Sequence, residues 1–276
     1  MKHWVQASSP HLIATTTIIS IAPAGMDLNM ETKEVKKLKN EIRRKIWDLL
    51  EEKDVAAFPR PVHGRIPNFK GADIAAQRIT GLPEWQKASV VKSNPDSPQY
   101  HLRLQALREG KILIMATPRL IHGFLLLNPR LIPTSRLSQA ATIAGAFKYG
   151  RLISLREMPN IDLIVTGCVA VDRRGARLGK GGGYSELEYG ILKELGVVDE
   201  KTPIVTTIHD LQVVSEEIPM EVHDYTVDYY ATPRRLVKID SGFRYRPRGI
   251  YWDLLKPELR ELRVIKELIE IKHRGR

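Results

Sequence analysis

A glycine-rich loop at residues 175–186 carries the residues best suited to chemistry in this sequence. Its glycines let the backbone approach an anion closely without strain, and Arg177 and Lys180 add positive charge between them. An apolar, β-branched run at 161–171 precedes the loop, and apolar residues at helical spacing follow it at 187–195. This order directs backbone N–H groups and the positive end of a helix dipole towards one point. The sequence therefore predicts an anion-binding site.

The boundaries of the helix after this loop are also marked in the sequence. Ser185 and Glu188 have the spacing of a capping box, which predicts that the helix begins near Ser185, and Gly196 stands where a C-terminal cap is expected.

The loop is not of the Walker A type, because Gly181 follows its lysine directly. It is not a dinucleotide fingerprint, because Tyr184 occupies the last glycine position. The flanking strand and helix make a flexible surface turn the weaker interpretation.

The elements around the loop alternate between apolar strands and helices, which predicts an α/β fold with three α/β/α layers and a mostly parallel sheet. Ligands of such folds bind beyond the carboxyl ends of the strands. We therefore expect the loops at 93–98, 117–123, 172–184 and 209–224 to share one edge of the sheet. The predicted strands are 88–92, 111–116, 161–171, 203–208 and 227–231, and the predicted helices between them include 100–109 and 135–149.

The chain length of 276 residues is enough to bury the core of one domain. Residues 1–29 contain only two charged side chains, and we expect a poorly ordered N-terminal extension there. Residues 30–240 are predicted to form the α/β domain. Residues 241–276 are predicted to form a basic helical appendage that packs on this domain, with a helix from about Pro257.

Charge and cysteine content restrict the partners and the compartment. The net charge of +11 favours anionic partners, such as nucleotides or nucleic acid, without choosing between them. The single cysteine, Cys168, excludes an intramolecular disulfide and is typical of a reducing compartment, so we expect a cytoplasmic protein. Cys168 lies in the apolar strand and is expected to be a buried, unreactive side chain. The apolar run at 12–21 is too short to span a membrane, and no membrane partner is predicted.

A second group of basic residues lies on an amphipathic helix predicted over 31–55. Lys39 and Arg43 stand one turn apart beside its apolar stripe. On spacing alone they would form a solvated basic face. The apolar stripe consists of Val35, Leu38, Ile42, Ile46 and Leu49.

Three blocks of the sequence resemble the 5-formyltetrahydrofolate cyclo-ligase (methenyltetrahydrofolate synthetase) family. The residues Arg-Leu-Gly-Lys-Gly-Gly-Gly-Tyr at 177–184 resemble the family loop R-L-G-x-G-x-G-Y-Y-D, with Ser-Glu at 185–186 in place of Tyr-Asp. Lys39-Asn-Glu-Ile-Arg43 resembles the family block K-x-x-L-R, and residues 218–229 resemble P-x-E-x-H-D-x-x-V-D. The Pro- and basic-rich segment 58–71 is similar to archaeal members and to eukaryotic relatives that add an RNA-recognition domain.

This resemblance implies the fold of the sugar-phosphate isomerase and CoA-transferase group. It also implies an ATP- and Mg²⁺-dependent conversion of 5-formyltetrahydrofolate into 5,10-methenyltetrahydrofolate. In the family, the γ-phosphoryl group of ATP is transferred to the formyl oxygen, N10 of the folate attacks, and phosphate leaves. The implied partners are therefore ATP and a reduced formyl-folate.

The resemblance also implies roles for individual residues. Lys180 and Arg177 would be the catalytic cations, and Glu186 and Asp224 would hold Mg²⁺, with Asp228 as an alternate. Glu186 has another explanation, because an acidic residue in a first helical turn is favourable on dipole grounds alone. The implied ATP-binding residues are Lys39, Arg43, Arg177, Gly179, Lys180, Gly181, Gly182, Gly183 and Tyr184.

Two other functions remain open at the level of sequence. The Ser-Glu departure at 185–186 and the positive charge are compatible with a non-catalytic module of the same fold that binds a nucleotide or RNA. An enzyme of this fold that acts on a different formylated or carboxylated substrate is the third possibility.

Overall fold

The structure is a computed structural model that describes residues 32–274, so the extension predicted at 1–29 lies outside the described residues. The strands are β1 Val90–Ser93, β2 Ile112–Ala116, β3 Phe124–Leu127, β4 Arg151–Ile153, β5 Leu163–Thr166, β6 Ala170–Val171, β7 Arg177–Leu178, β8 Ile204–Thr207, β9 Tyr229–Ala231 and β10 Leu236–Lys238. The α-helices are α1 Thr32–Glu52, α2 Ala72–Thr80, α3 Pro83–Lys87, α4 Tyr100–Arg108, α5 Leu137–Ala140, α6 Ile143–Tyr149, α7 Tyr184–Glu194, α8 Pro257–Arg260 and α9 Arg263–Arg274.

Eight of these strands form one sheet in the order β10-β9-β8-β5-β1-β2-β3-β4. The central strands β2, β1, β5, β8 and β9 are parallel, which confirms the mostly parallel sheet expected from the β-α-β pattern. β3 runs antiparallel to β2, and β10 runs antiparallel to β9. The sequence did not indicate β3, β4 or β10. All three are short and pair antiparallel with a neighbour, so they lie outside the parallel β-α-β pattern on which the prediction was based.

Helices cover both faces of this sheet, so the predicted three layers are present. Alternate residues of β5 face opposite sides: Leu163 and Val165 pack in one core with α2 and α4, and Ile164 packs in the other core with α7 and α9. Helix α9 contributes Ile265, which is fully buried beside the strands. None of the helices in residues 32–274 combines the length and apolar character needed to cross a membrane.

Helix α7 begins within one residue of the predicted start near Ser185, but the predicted capping box does not form. The helix begins at Tyr184, directly after Gly183, and no side chain caps it. Ser185 lies inside the helix, and Glu188 is buried in an ion pair with Lys92 of β1. The capping-box interpretation was wrong because a tertiary partner on the sheet, rather than the local backbone, engages the glutamate. Gly196 follows the helix with φ of 71°, as a residue of a C-terminal cap does.

The helix predicted over 135–149 is also interrupted. Its residues form α5 and α6, and the second helix begins where the side chain of Thr142 accepts a hydrogen bond from Gly145 N at 3.0 Å. A threonine that accepts from the backbone three residues later acts as an N-cap, so it starts a new helix instead of continuing the first. The predicted C-terminal helix is likewise divided, into α8 and α9.

Helix α1 packs beside the sheet and not on it. Ile42, Ile46 and Leu50 contact the short β6–β7 ribbon and the segment that contains Val214 and Ile218. Cys168 is buried as expected, and burial raises the pKa of its thiol to about 11.

Candidate active site

The site is built at a cavity of about 450 Å³ beside the glycine loop. Helix α1, the loop before α7, the segment around Asp224 and the segment 249–259 enclose this cavity. Its volume lies within the range of small-molecule sites. Five cationic side chains and three carboxylates line it, so its wall favours an anionic ligand. These side chains are Lys36, Lys39, Arg43, Arg177 and Lys256, and Glu186, Glu221 and Asp224.

The glycine loop has the backbone geometry that the sequence predicted. Gly181 has φ of 96° and Gly183 has φ of 77°, which are left-handed conformations that a side chain would strain. No hydrogen bond between the described residues uses the amide N–H groups of residues 181–183. These donors lie at the N-terminus of α7, a helix of 11 residues. The loop therefore presents free N–H groups together with the positive end of a helix dipole.

Arg43 connects α1 to this loop. Its Nε donates a hydrogen bond to the carbonyl oxygen of Gly179 at 2.7 Å, and its Nη1 donates to Asn40 at 2.6 Å. Arg43 is buried on the inner face of α1, as is Lys39. The solvated basic face that spacing alone indicated is therefore wrong for these two residues. Their burial is possible because carbonyl and carboxylate oxygens accept from both side chains.

Arg177 is the most deeply buried cation of the site, with 1% of its side chain exposed. It forms an ion pair with Glu186, and its guanidinium lies over the ring of Tyr225 at 3.9 Å from the centroid. Burial alone would lower the pKa of Arg177, but the carboxylate of Glu186 together with Tyr225 and Asp224 raises it. The pKa of Glu186 in turn lies below its usual value despite burial, chiefly because of Arg177. Arg177 Nε and Nη1 have no hydrogen-bond partner among the described residues.

Lys39 forms a second set of ion pairs in the cavity, with Asp224 and Glu221. Its Nζ donates to Asp224 Oδ2 at 2.6 Å and to Glu221 Oε2 at 2.8 Å. Burial would lower the pKa of Lys39, but the two carboxylates, Asp224 above all, raise it. The same Asp224 oxygen accepts from the backbone N of Glu221 at 2.8 Å, which fixes the turn that contains both acids.

Two carboxylates of the cavity, those of Glu186 and Asp224, have oxygens that suit Mg²⁺. The ion pairs use Oε1 of Glu186 and Oδ2 of Asp224, so neither ion pair uses the second oxygen of its carboxylate. Two carboxylates that each have an oxygen available as a ligand suit a Mg²⁺ ion whose other ligands are phosphate oxygens and water. Within residues 32–274 there is no cluster of three potential ligands that would form an all-protein metal site. The donor set therefore fits a metal that arrives with a phosphate ligand.

Asp228, the alternate metal ligand, does not line the cavity. Its Oδ2 accepts from Arg246 at 2.6 Å and from the backbone N of Ile204 at 2.8 Å, and its Oδ1 accepts from Arg244. It therefore fastens the C-terminal segment to the start of β8. Asp228 directly precedes β9 and contacts the start of β8, so the structure does not bring this alternate ligand to the cavity.

Lys180 extends from the loop to a neighbouring part of the same sheet edge. Its Nζ contacts Asp96 Oδ1 at 3.1 Å, and 44% of its side chain is exposed. The loops after β1 and before α7 therefore meet, as predicted for the carboxyl ends of parallel strands. Behind this contact, Asn94 Nδ2 donates to Glu188 at 2.8 Å and a buried Lys92 completes the network. Lys180 does not line the cavity that the other cations surround.

Several cavity residues were missed at the level of sequence. Glu221 and His223 line the cavity, and both stand in the block at 218–229 that was otherwise matched to the family. The spacing of three residues between Glu221 and Asp224 was the available signal. The apolar wall from 249–259 had no such signal, because nothing in its composition relates it to the glycine loop.

The fold and this site define an α/β protein with a glycine-rich loop and a largely cationic cavity at the carboxyl edge of its sheet. The model of the 5-formyltetrahydrofolate cyclo-ligase family matches residues 35–233, which is more than half of the chain. The chain therefore belongs to the 5-formyltetrahydrofolate cyclo-ligase family.

Similar proteins carry related names. The methenyltetrahydrofolate synthase domain-containing protein of Bos taurus is 42% identical over 224 residues, which cover 80% of this chain and 59% of the relative. The protein of the same name from Homo sapiens is 41% identical over 236 residues, covering 84% of this chain and 61% of the relative. The NMR structure of Aquifex aeolicus 5,10-methenyltetrahydrofolate synthetase is 20% identical with a TM-score of 0.47, over 78% of this chain and 99% of that chain. The chain thus spans about three fifths of the length of the two mammalian relatives.

Proposed function

We propose that this chain is an ATP- and Mg²⁺-dependent cyclo-ligase that converts 5-formyltetrahydrofolate into 5,10-methenyltetrahydrofolate. Membership of the cyclo-ligase family supports the class of reaction. The observation that carries the proposal is the hydrogen bond from Arg43 to Gly179 O, at 2.7 Å across 136 residues of sequence. It brings two blocks that resemble the family together at one cavity.

The cationic side chains supply what this reaction requires. A formamide oxygen is a poor leaving group, so ring closure needs activation by phosphoryl transfer, which depends on positioning and charge neutralisation. Arg43, Arg177 and Lys39 would neutralise the triphosphate, with the free amides of residues 181–183 as additional donors. Lys180, which contacts Asp96 next to the glycine loop, is proposed as a further cation for the triphosphate.

Glu186 and Asp224 are the proposed Mg²⁺ ligands, each through the oxygen that its ion pair does not use. The bound metal would neutralise phosphate charge. Glutamate carries its carboxylate one methylene further from the backbone than the aspartate of the family pattern. The ion pair with Arg177 holds this longer side chain in a defined position, which is compatible with metal binding.

The direct test is the formation of the methenyl product, followed by absorbance with and without ATP and Mg²⁺. We expect a product that depends on both, and a decrease of kcat/KM by at least about tenfold in Arg43→Ala, since a charge-assisted contact to the triphosphate is lost. Product formation that does not require ATP would contradict the proposal.

The role of Lys180 has a separate test with a matched control. Lys180→Ala should weaken ATP binding and leave the melting temperature unchanged, because its side chain is 44% exposed. Lys70, which is also paired with an aspartate and is 59% exposed, lies outside the cavity, and Lys70→Ala should change neither quantity. Equal ATP affinity in both variants by calorimetry would show that Lys180 has no role in binding.

The second candidate is a non-catalytic module that binds a nucleotide or RNA. Two observations favour it: both proposed metal ligands are already paired with cations, and the net charge is +11. This candidate would replace the ligase if the wild-type protein made no methenyl product at any Mg²⁺ concentration while Glu186→Gln bound ATP normally. Turnover of a different formylated substrate would instead indicate another enzyme of the same fold.

A further inference from the structure

The segment 249–259 forms one wall of the cavity, although it lies beyond the residues that match the family. Its contribution differs in chemistry from the rest of the lining. Helix α1 and the glycine loop bring mainly charged side chains and backbone amides, whereas this segment brings mainly apolar surface. We call it the C-terminal wall and define it by Ile250, Tyr251, Leu254, Leu255 and Leu259.

The C-terminal wall is held in place by contacts to α7. Glu194, at the end of that helix, accepts a hydrogen bond from Ile250 N at 3.1 Å and forms an ion pair with Lys272 of α9. Ile250 also packs closely over Gly190, where an added Cβ would lie 2.9 Å from its Cγ1. The wall therefore has a fixed position relative to the helix whose N-terminus presents the glycine loop.

Hydrogen bonds inside the C-terminal segment fix the turn that carries the wall. Arg260 Nη2 donates to the carbonyl oxygen of Trp252 at 2.7 Å, and its Nε donates to Leu255 O at 3.2 Å. Leu259 is buried in the core of the sheet and also lines the cavity. Leu254, in contrast, is 59% exposed, so it offers apolar surface that a ligand in the cavity would cover.

We propose that the C-terminal wall binds the nucleoside half of ATP while the glycine loop binds its phosphates. A nucleotide has one strongly anionic end and one flat, largely apolar end, and the cavity has a cationic side and an apolar side to match them. The wall would therefore determine the affinity for the base, using residues outside the family match. This inference rests on the proposed binding of ATP at the glycine loop.

The test compares ATP with inorganic tripolyphosphate, which has the phosphates without the nucleoside, by calorimetry on the full chain. Leu254→Ala and Tyr251→Ala should each raise the Kd for ATP about tenfold, the effect of about 1.4 kcal/mol of lost apolar burial. The same variants should bind tripolyphosphate as the wild type does. Arg43→Ala should weaken both ligands, because it acts on the phosphate side.

A matched control is Leu131→Ala, since Leu131 is 80% exposed and does not line the cavity. It should bind ATP normally. If the wild type binds ATP and both wall variants bind it equally well, the inference fails and the proposed function stands. It also fails if the wall variants weaken 5-formyltetrahydrofolate instead of ATP. If the wild type binds neither ATP nor tripolyphosphate, the proposed ATP site itself is wrong.

Discussion

Glu186→Gln tests whether the carboxylate of Glu186 is a structural partner of Arg177 as well as a proposed metal ligand. The substitution removes the charge with little change of shape. It leaves a guanidinium that is 1% exposed without its counter-ion, and two nitrogens of that guanidinium already have no hydrogen-bond partner among the described residues. Breaking a buried ion pair by removing one partner costs about 3–5 kcal/mol.

The expected loss lies at the low end of this range, because the side chain of Glu186 keeps 13% exposure and the ring of Tyr225 still faces the guanidinium. We therefore expect a decrease of about 3 kcal/mol in the free energy of unfolding, or roughly 6–12 °C in melting temperature. The assay is urea denaturation at pH 7 without metal or nucleotide. Glu41→Gln, at an exposed position of α1, is the matched control and should change little.

The pH dependence gives this prediction a second readout. The pKa of Glu186 is lowered in the folded protein, because Arg177, a backbone hydrogen bond and the nearby His223 and Lys39 together overcome the effect of burial. Its contribution to stability is therefore complete above the usual glutamate pKa and is lost as the pH falls through the folded value. The difference between wild type and variant should narrow below about pH 4. A loss under about 1 kcal/mol at pH 7 would refute the assignment of Glu186 as the essential counter-ion.

Three further predictions concern residues elsewhere in the fold. Lys39→Ala should lower the free energy of unfolding by about 3 kcal/mol. Because the pKa of Lys39 is raised in the folded protein, denaturation curves should show this loss up to pH 10. If the loss disappeared below pH 9, the ion pair would be contradicted. The thiol of Cys168, with a pKa raised to about 11 by burial, should react with a disulfide reagent at pH 8 only after denaturation, and rapid labelling of the native protein would disprove its burial. Gly145→Ala should lower the free energy of unfolding, measured in thermal melts, by about 3 kcal/mol, because the added Cβ would lie 1.8 Å from Gln139 O. In the control Gly81→Ala the nearest atom lies 3.5 Å from the added Cβ, so the stability should hardly change. Equal melting temperatures of the two variants would refute this clash.

Local patterns determined the parts of the fold that repeat along the chain. Apolar and β-branched residues identified the central strands β1, β2, β5 and β8, and the run is longest in β2 and β5, since strands covered by helices on both faces are largely apolar. The glycine loop was also identifiable, since closely spaced glycines between a strand and a helix favour one backbone geometry. The resemblance to the family then assigned chemistry to residues that periodicity alone would have placed on a solvated surface.

Tertiary structure decided how the charges are paired. Lys39 and Asp224 are separated by 185 residues in sequence, and only the packing of α1 beside the β6–β7 ribbon brings them within 2.6 Å. In the same way, the sequence marked Glu188 as a local cap, whereas a buried lysine on the sheet engages it. The C-terminal wall depends on how α7 and α9 pack. A sequence pattern reports which backbone conformation a segment favours, but burial and charge compensation depend on distant partners, and these exist only once the chain is folded.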